Sequence, residues 1–193
     1  MTARPMARPI GKNATLAPRA IAPATSVARV ATGGADRSYQ RLLDHAAIRE
    51  GLDRYFYAID SGKFALFREV FTEDAIADYA GGNLKLRGWR GIMEGMRDIV
   101  RGIPAASSNH FITSTQIRVR GDTAKSDTFG AIFVHKAAGK GAHGTVSALG
   151  VRYRDEWVRG PKGWRIRYRL HTRLWTCEGM PAGVAAKAAP RRR

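Results

Sequence analysis

Three side chains in this sequence have the chemistry of a proton-transfer site, provided that the fold gathers them. The carboxylate is Asp60, in Tyr55-Phe56-Tyr57-Ala58-Ile59-Asp60-Ser61-Gly62. The imidazole is His110, in Asn109-His110-Phe111-Ile112-Thr113, and the guanidinium is Arg173, in His171-Thr172-Arg173-Leu174-Trp175. An imidazole takes a proton near neutral pH, and a carboxylate partner orients the ring and stabilises its charged form. A guanidinium holds an oxygen that becomes negative as the proton leaves.

Local rules bear on each of the three. Asp60 sits where a helix should end, and a carboxylate there opposes the helix dipole at a cost of ~0.3–1 kcal/mol. That penalty argues for a partner, and His110 qualifies. Tyr55 either donates to the developing oxyanion or leaving group, or packs with Phe56 and Ile59; Tyr57 takes the first role if the register slips. Five residues put Tyr55 and Asp60 about 140° apart on a regular helix, so they converge only if the helix ends before Asp60. Tyr79 is either a pocket-lining residue or a strand aromatic. Arg173 shares its strand parity with Arg165, Arg167, Arg169 and His171. It reaches a pocket only if the strand bends near His171 or dips into an open end; otherwise it continues a solvated stripe.

No metal or cofactor is expected. His110, His135 and His143 lack ligand spacing such as H-x-x-x-H, and Gly139-Lys140-Gly141 lacks the P-loop frame. Cys177 has no activating motif and, as the one cysteine, forms no intrachain disulfide.

The positioning elements follow from periodicity. Leu42, Ala46, Leu52, Tyr55, Phe56 and Ile59 predict a helix over about 39–60, stopped by Ser61-Gly62. A short helix carries Phe64, Phe67, Val70 and Phe71. A strand over 75–80, a turn at Gly81-Gly82-Asn83 and a strand over 84–87 form a hairpin. A third helix carries Ile92, Met96, Ile99 and Val100 between Gly91 and Gly102. From His110 the period becomes strand-like: a strand to Val119, then 123–136, 145–158 and 164–175, the last with Trp164, Ile166, Tyr168 and Leu170 alternating against arginines. The order predicts an α+β fold, with N-terminal helices packed into a strongly curved antiparallel sheet that encloses a pocket.

The 193 residues suffice for one domain with tails. The net charge is +17, but residues 1–40 (six basic, one acidic) and 177–193 (four basic, one acidic) hold just under half of it. Both are read as disordered basic segments, 1–38 and 177–193, around a domain over 39–176. The remaining charge shows no zinc-finger, RNP-like or basic-zipper pattern, so sequence-specific nucleic-acid binding is not expected; a cationic surface that steers anionic partners is. No apolar run reaches the ~18 residues of a membrane span, and no secretory h-region is evident, which makes the cytoplasm the default location.

The element order, with Asp60 after a Tyr-rich helix end, Phe71-Thr72-Glu73-Asp74-Ala75, His110 opening a strand and Gly163-Trp164-Arg165-Ile166, resembles the SnoaL-like branch of the nuclear transport factor 2-like superfamily over about residues 39–176. The resemblance implies a cone-shaped α+β barrel. At residue level Tyr55, Asp60, His110 and Arg173 are similar to the bile-acid 7α-dehydratase pattern. Asp60, Tyr79, His110 and His135 resemble that of scytalone dehydratase, which makes Tyr79 and His135 pocket residues; Tyr57 is counted with them as the alternative to Tyr55. Ile59, Arg152 and Arg154 depart from the scytalone pattern. The resemblance implies a cofactor-independent lyase or isomerase acting on a hydrophobic, steroid-like or polyketide-like carbonyl substrate, and a homodimer or homotrimer. The same fold also implies an alternative: a non-catalytic ligand-binding or structural subunit, such as the small subunit of a ring-hydroxylating dioxygenase. A large separation of Asp60 and His110 favours that second reading.

Overall fold

A computed structural model of the chain describes residues 32–79, 83–103, 107–137 and 144–181. Helix α1 spans Thr32–Asp60, a 3-10 turn Phe64–Leu66 and helix α2 Phe67–Val70 lead to strand β1 (Phe71–Tyr79), and β2 (Leu84–Arg87) precedes helix α3 (Gly88–Ile99). Four long strands follow: β3 (Ser108–Arg120), β4 (Thr123–Lys136), β5 (Thr145–Gly160) and β6 (Gly163–Pro181). They form one six-stranded sheet in the order β2-β1-β6-β5-β4-β3. The fold is a cone-shaped α+β fold whose sheet does not close.

Several sequence expectations change. The sheet is mixed rather than wholly antiparallel, because β1 runs parallel to β6. The helix begins at Thr32 and the last strand continues to Pro181, so ordered structure extends into both segments read as tails. The remainder of those segments, the turn residues Gly81 and Gly82, the loop lysine Lys140 and His143 lie outside the described residues. Strand β1 begins at Phe71, because that side chain and Ala75 are both buried against the helices.

Asp44, Ile48, Leu52, Tyr55, Phe56 and Ile59 form the buried stripe of α1, at spacings of three and four residues. Leu42 falls off that stripe and is exposed. A buried carboxylate on an apolar stripe needs partners. Asp44 accepts hydrogen bonds from Arg159 Nη2 at 2.7 Å and Trp164 Nε1 at 3.2 Å, which fasten the helix to the β5–β6 turn, and from Gln40 Nε2 at 3.0 Å within the helix. Burial by itself would raise the Asp44 pKa; these donors and the Arg159 charge bring it below the ordinary value.

Gly51 lets α1 lie directly on β5. A Cβ there would stand 2.8 Å from the Trp157 ring, which is buried and held by a 2.9 Å hydrogen bond from Nε1 to Ser126 Oγ. Gly→Ala inside a helix ordinarily stabilises by about 1 kcal/mol. Here the sign is expected to invert, with G51A destabilising by roughly 1–3 kcal/mol through overpacking. Urea unfolding checks it: a rise in midpoint would mean that the contact is looser than it stands.

Candidate functional site

The end of α1 and the start of β3 meet at Asp60. Its Oδ1 lies 2.6 Å from His110 Nδ1 and accepts a hydrogen bond from Ser108 Oγ at 3.2 Å. Its Oδ2 accepts from the His110 backbone N–H at 2.8 Å. Three donors thus offset the unfavourable helix-end position of this carboxylate. An ionised carboxylate only accepts, so Nδ1 is the donor in this bond, and in the neutral ring that leaves the lone pair on Nε2. Phe56 stacks on the imidazole with centroids 5.3 Å apart and fixes its plane.

His110 lines a cavity of about 180 Å³ between the helices and the inner face of the sheet. Ile59, Met96, Ile132, Val134, Leu149 and Val151 make most of its wall apolar. Tyr55 and Tyr79 line it too, and their hydroxyls are 2.8 Å apart. Helix α1 continues through Asp60, so Tyr55 does not converge on Asp60; it turns instead to Tyr79. Burial raises both phenol pKa values, Tyr79 most strongly, so both stay protonated as donors.

Strand β6 supplies the polar wall, and a bulge decides how. Its outer half buries Trp164 and Ile166, as the alternation predicts. Opposite Glu156 and Trp157 the register then shifts by one residue, with Tyr168 facing Glu156 and Ile166 facing Trp157. The extra residue is Arg167, and a single inserted residue flips every later side chain to the other face. Arg169, His171 and Arg173 therefore turn inward, while Tyr168 and Leu170 leave the core. The bend required for Arg173 exists, but at Arg167 rather than near His171. Across from these three on β5 stand Asp155, Tyr153 and Val151.

Arg169 is fully buried. Its Nε donates to Asp155 Oδ1 at 2.7 Å and its Nη2 to Asp155 Oδ2 at 2.8 Å, while the guanidinium lies 4.0 Å from the Tyr55 ring centroid and 4.8 Å from that of Tyr153. Burial opposes its charge, yet the adjacent Asp155 holds it above the ordinary arginine value, so it stays cationic. His171 lines the cavity next, between the rings of Tyr153 and Tyr79 at 5.1 and 5.4 Å. Arg173 lines it at the exposed end.

Burial, then the charges of Arg169 and Arg173, push the His171 pKa from 6.5 to about 4. The unfolded chain therefore binds more protons between those values, and stability falls as the pH drops through that window. The full shift corresponds to about 3 kcal/mol at most, since the ring is only partly buried. H171N is expected to flatten the pH dependence of the urea midpoint between pH 6.5 and 4 relative to wild type. Parallel curves would show that His171 titrates normally.

Two expected pocket residues fall elsewhere. His135 is exposed, because Ile132 and Val134 face the cavity and alternation sends His135 to the opposite face. Tyr57 lies on the solvent side of α1, where its hydroxyl accepts from Lys63 Nζ at 2.8 Å; that bond lowers its pKa. Arg169, His171, Tyr153 and Asp155 were not singled out from the sequence, although Arg169 and His171 share the parity of Arg173. Among the described residues, no three His, Cys, Asp or Glu side chains are placed to hold a metal, and no helix is long and apolar enough to cross a membrane.

A model of the SnoaL-like domain family matches residues 40–170. An uncharacterized protein of Mycobacterium tuberculosis strain H37Rv is 32% identical over 139 residues, covering 72% of this chain and 90% of the relative. Among solved structures, an NTF2-like protein with a cystatin-like fold from Novosphingobium aromaticivorans superposes with a TM-score of 0.64 at 27% identity, over 76% of this chain and 92% of its own. A hexachlorocyclohexane dehydrochlorinase from Novosphingobium barchaimii shares the fold at 15% identity, with a TM-score of 0.63 over 79% and 99% of the two chains.

Proposed function

The chain belongs to the SnoaL-like family, and on that premise we propose that it is a cofactor-independent lyase or isomerase that removes a proton next to a carbonyl of a compact, largely apolar substrate. The fold family includes dehydratases and isomerases. The observation that carries the reading is the 2.6 Å bond between Asp60 and His110 beside an apolar cavity. It favours acid–base chemistry over the purely structural subunit, for which a separated pair was the sign.

His110 Nε2 takes the proton, and Asp60 holds the Nδ1–H tautomer and stabilises the imidazolium that forms. The Tyr55–Tyr79 pair has two O–H groups and spends one on its mutual bond, which leaves one to donate to the oxygen that becomes negative. Arg169, cationic behind Tyr55, adds a fixed positive field without touching substrate. When a β-substituent such as hydroxide leaves, the electron pair of the broken C–H bond forms the new double bond; without a leaving group, reprotonation at another carbon gives the isomer.

Cavity size bounds the substrate. About 180 Å³ is near the volume of an apolar cavity that binds benzene and below that of typical drug-sized sites, so a body of about one ring fits better than a four-ring steroid. A set of one-ring and short-chain ketones, enones and β-hydroxy carbonyl compounds, incubated with the protein in D2O, tests the proposal. Deuterium is expected to enter next to the carbonyl of the compounds that bind. Binding without exchange across the set would favour the ligand-binding subunit instead.

A further inference from the structure

The charges around the cavity do not balance among the described residues. Two carboxylates belong to this region, and both are committed: Asp60 to His110 and Ser108, and Asp155 bidentately to Arg169. Arg173 lines the cavity and forms no ion pair with any described carboxylate. Beside it His171 also lines the cavity, and its Nδ1 is buried without a hydrogen-bond partner among the described residues. The polar wall on β6 thus offers a guanidinium with open donors and an imidazole with an unmet nitrogen, facing a wall of Ile, Val, Leu and Met.

We propose that Arg173 and His171 form an anion seat, so that the substrate is a compact apolar acid whose carboxylate lies on β6 while its apolar body fills the cavity beside His110. A guanidinium suits a carboxylate because its planar fork gives two parallel donors to two oxygens. His171 adds an N–H donor in its neutral form. Burial is the main cause of the lowered His171 proton affinity, and the charges of Arg169 and Arg173 add to it, a positive field that an anion would relieve. The apolar wall supplies burial for the rest of the molecule and no competing acceptor. In the proposed reaction Arg173 is neither the base nor an oxyanion donor. The seat gives it a role of its own, which is to set which end of the substrate enters first.

The inference rests on reading this cavity as the substrate site, but not on the chemistry of His110. Its test is binding rather than turnover. Benzoate and its neutral isostere benzamide are titrated into the full-length protein, with dissociation constants from NMR and the ring protons of His110 and His171 as reporters of location. Benzoate is expected to bind roughly tenfold or more tightly than benzamide, the size of a charge-assisted hydrogen bond, and to shift both histidine signals. R173Q is expected to erase that preference, and R173K to keep part of it. R118Q, which removes a cation from the opposite face of the sheet, controls for the overall charge of +17 and is expected to change nothing.

Equal binding of the two probes in wild type overturns the seat, as does a preference that survives R173Q or falls equally in R118Q. H110A separates the two readings. A benzoate preference retained in H110A supports the seat whatever becomes of deuterium exchange. Exchange without any carboxylate preference leaves the proton-transfer reading standing and removes the seat.

Discussion

In H110A, deuterium exchange into a bound carbonyl compound is expected to fall by about 10²–10⁴-fold, the usual worth of a positioned general base. Folding should survive, because the ring makes one hydrogen bond and one stacking contact while the β3 backbone keeps its pairing with β4. D60N is the sharper variant. An Asn side chain can donate to Nδ1, which moves the ring proton to Nε2 and removes the lone pair that takes the substrate proton. A loss of about a thousandfold is expected from the wrong tautomer, with the imidazole still present. Asp60 also anchors the Ser108 hydroxyl and the His110 amide, so D60N should cost about 1–3 kcal/mol of stability. Exchange in D60N within tenfold of wild type, with the protein folded, would show that His110 does not work through Asp60.

The largest stability effect is expected at Asp155 and Arg169. Both side chains are fully buried and bound by two hydrogen bonds. Removing one partner strands a charge in the core, and either D155N or R169M should lower unfolding free energy by about 3–5 kcal/mol. The double variant D155N/R169M strands no charge and should lose less than the sum of the singles, a coupling readable from a double-mutant cycle in urea. R169M also deprives the Tyr55 and Tyr153 rings of the cation that lies over them, so some loss remains even in the double. Additive single losses would mean that the two charges do not depend on one another.

Much of the fold was legible from periodicity. The apolar repeat from Leu52 to Ile59 places the core face of α1, and the strand expected from Ala75 is there, although it opens earlier, at Phe71, which the apolar spacing assigns to the short helix. Long-strand boundaries at Gly121-Asp122 and Gly160–Gly163 follow from turn chemistry and stand where they were expected. The parallel β1–β6 junction was not legible, because pairing between segments about 90 residues apart leaves no local pattern. Leu42 misled for a local reason: its four-residue step leads to Ala46, which is itself exposed, so both lie off the stripe through Asp44 and Ile48.

The candidate site divides in the same way. Asp60 drew notice from the helix-end penalty, while His110 and Arg173 were named beside it through the family resemblance rather than by a local rule. Arg169 and His171 were not singled out, and the facing of Arg173 was left open, because strand parity alone assigns all five alternate residues from Arg165 to Arg173 to one face. Residue types and element order came from the sequence by itself, since both depend on neighbours within a few positions. Which face of β6 looks inward was decided only in the tertiary structure. One extra residue at Arg167 is absorbed where β6 must fit β5 on one side and β1 on the other, and that misfit turns a solvent-facing arginine stripe into the polar wall of the cavity.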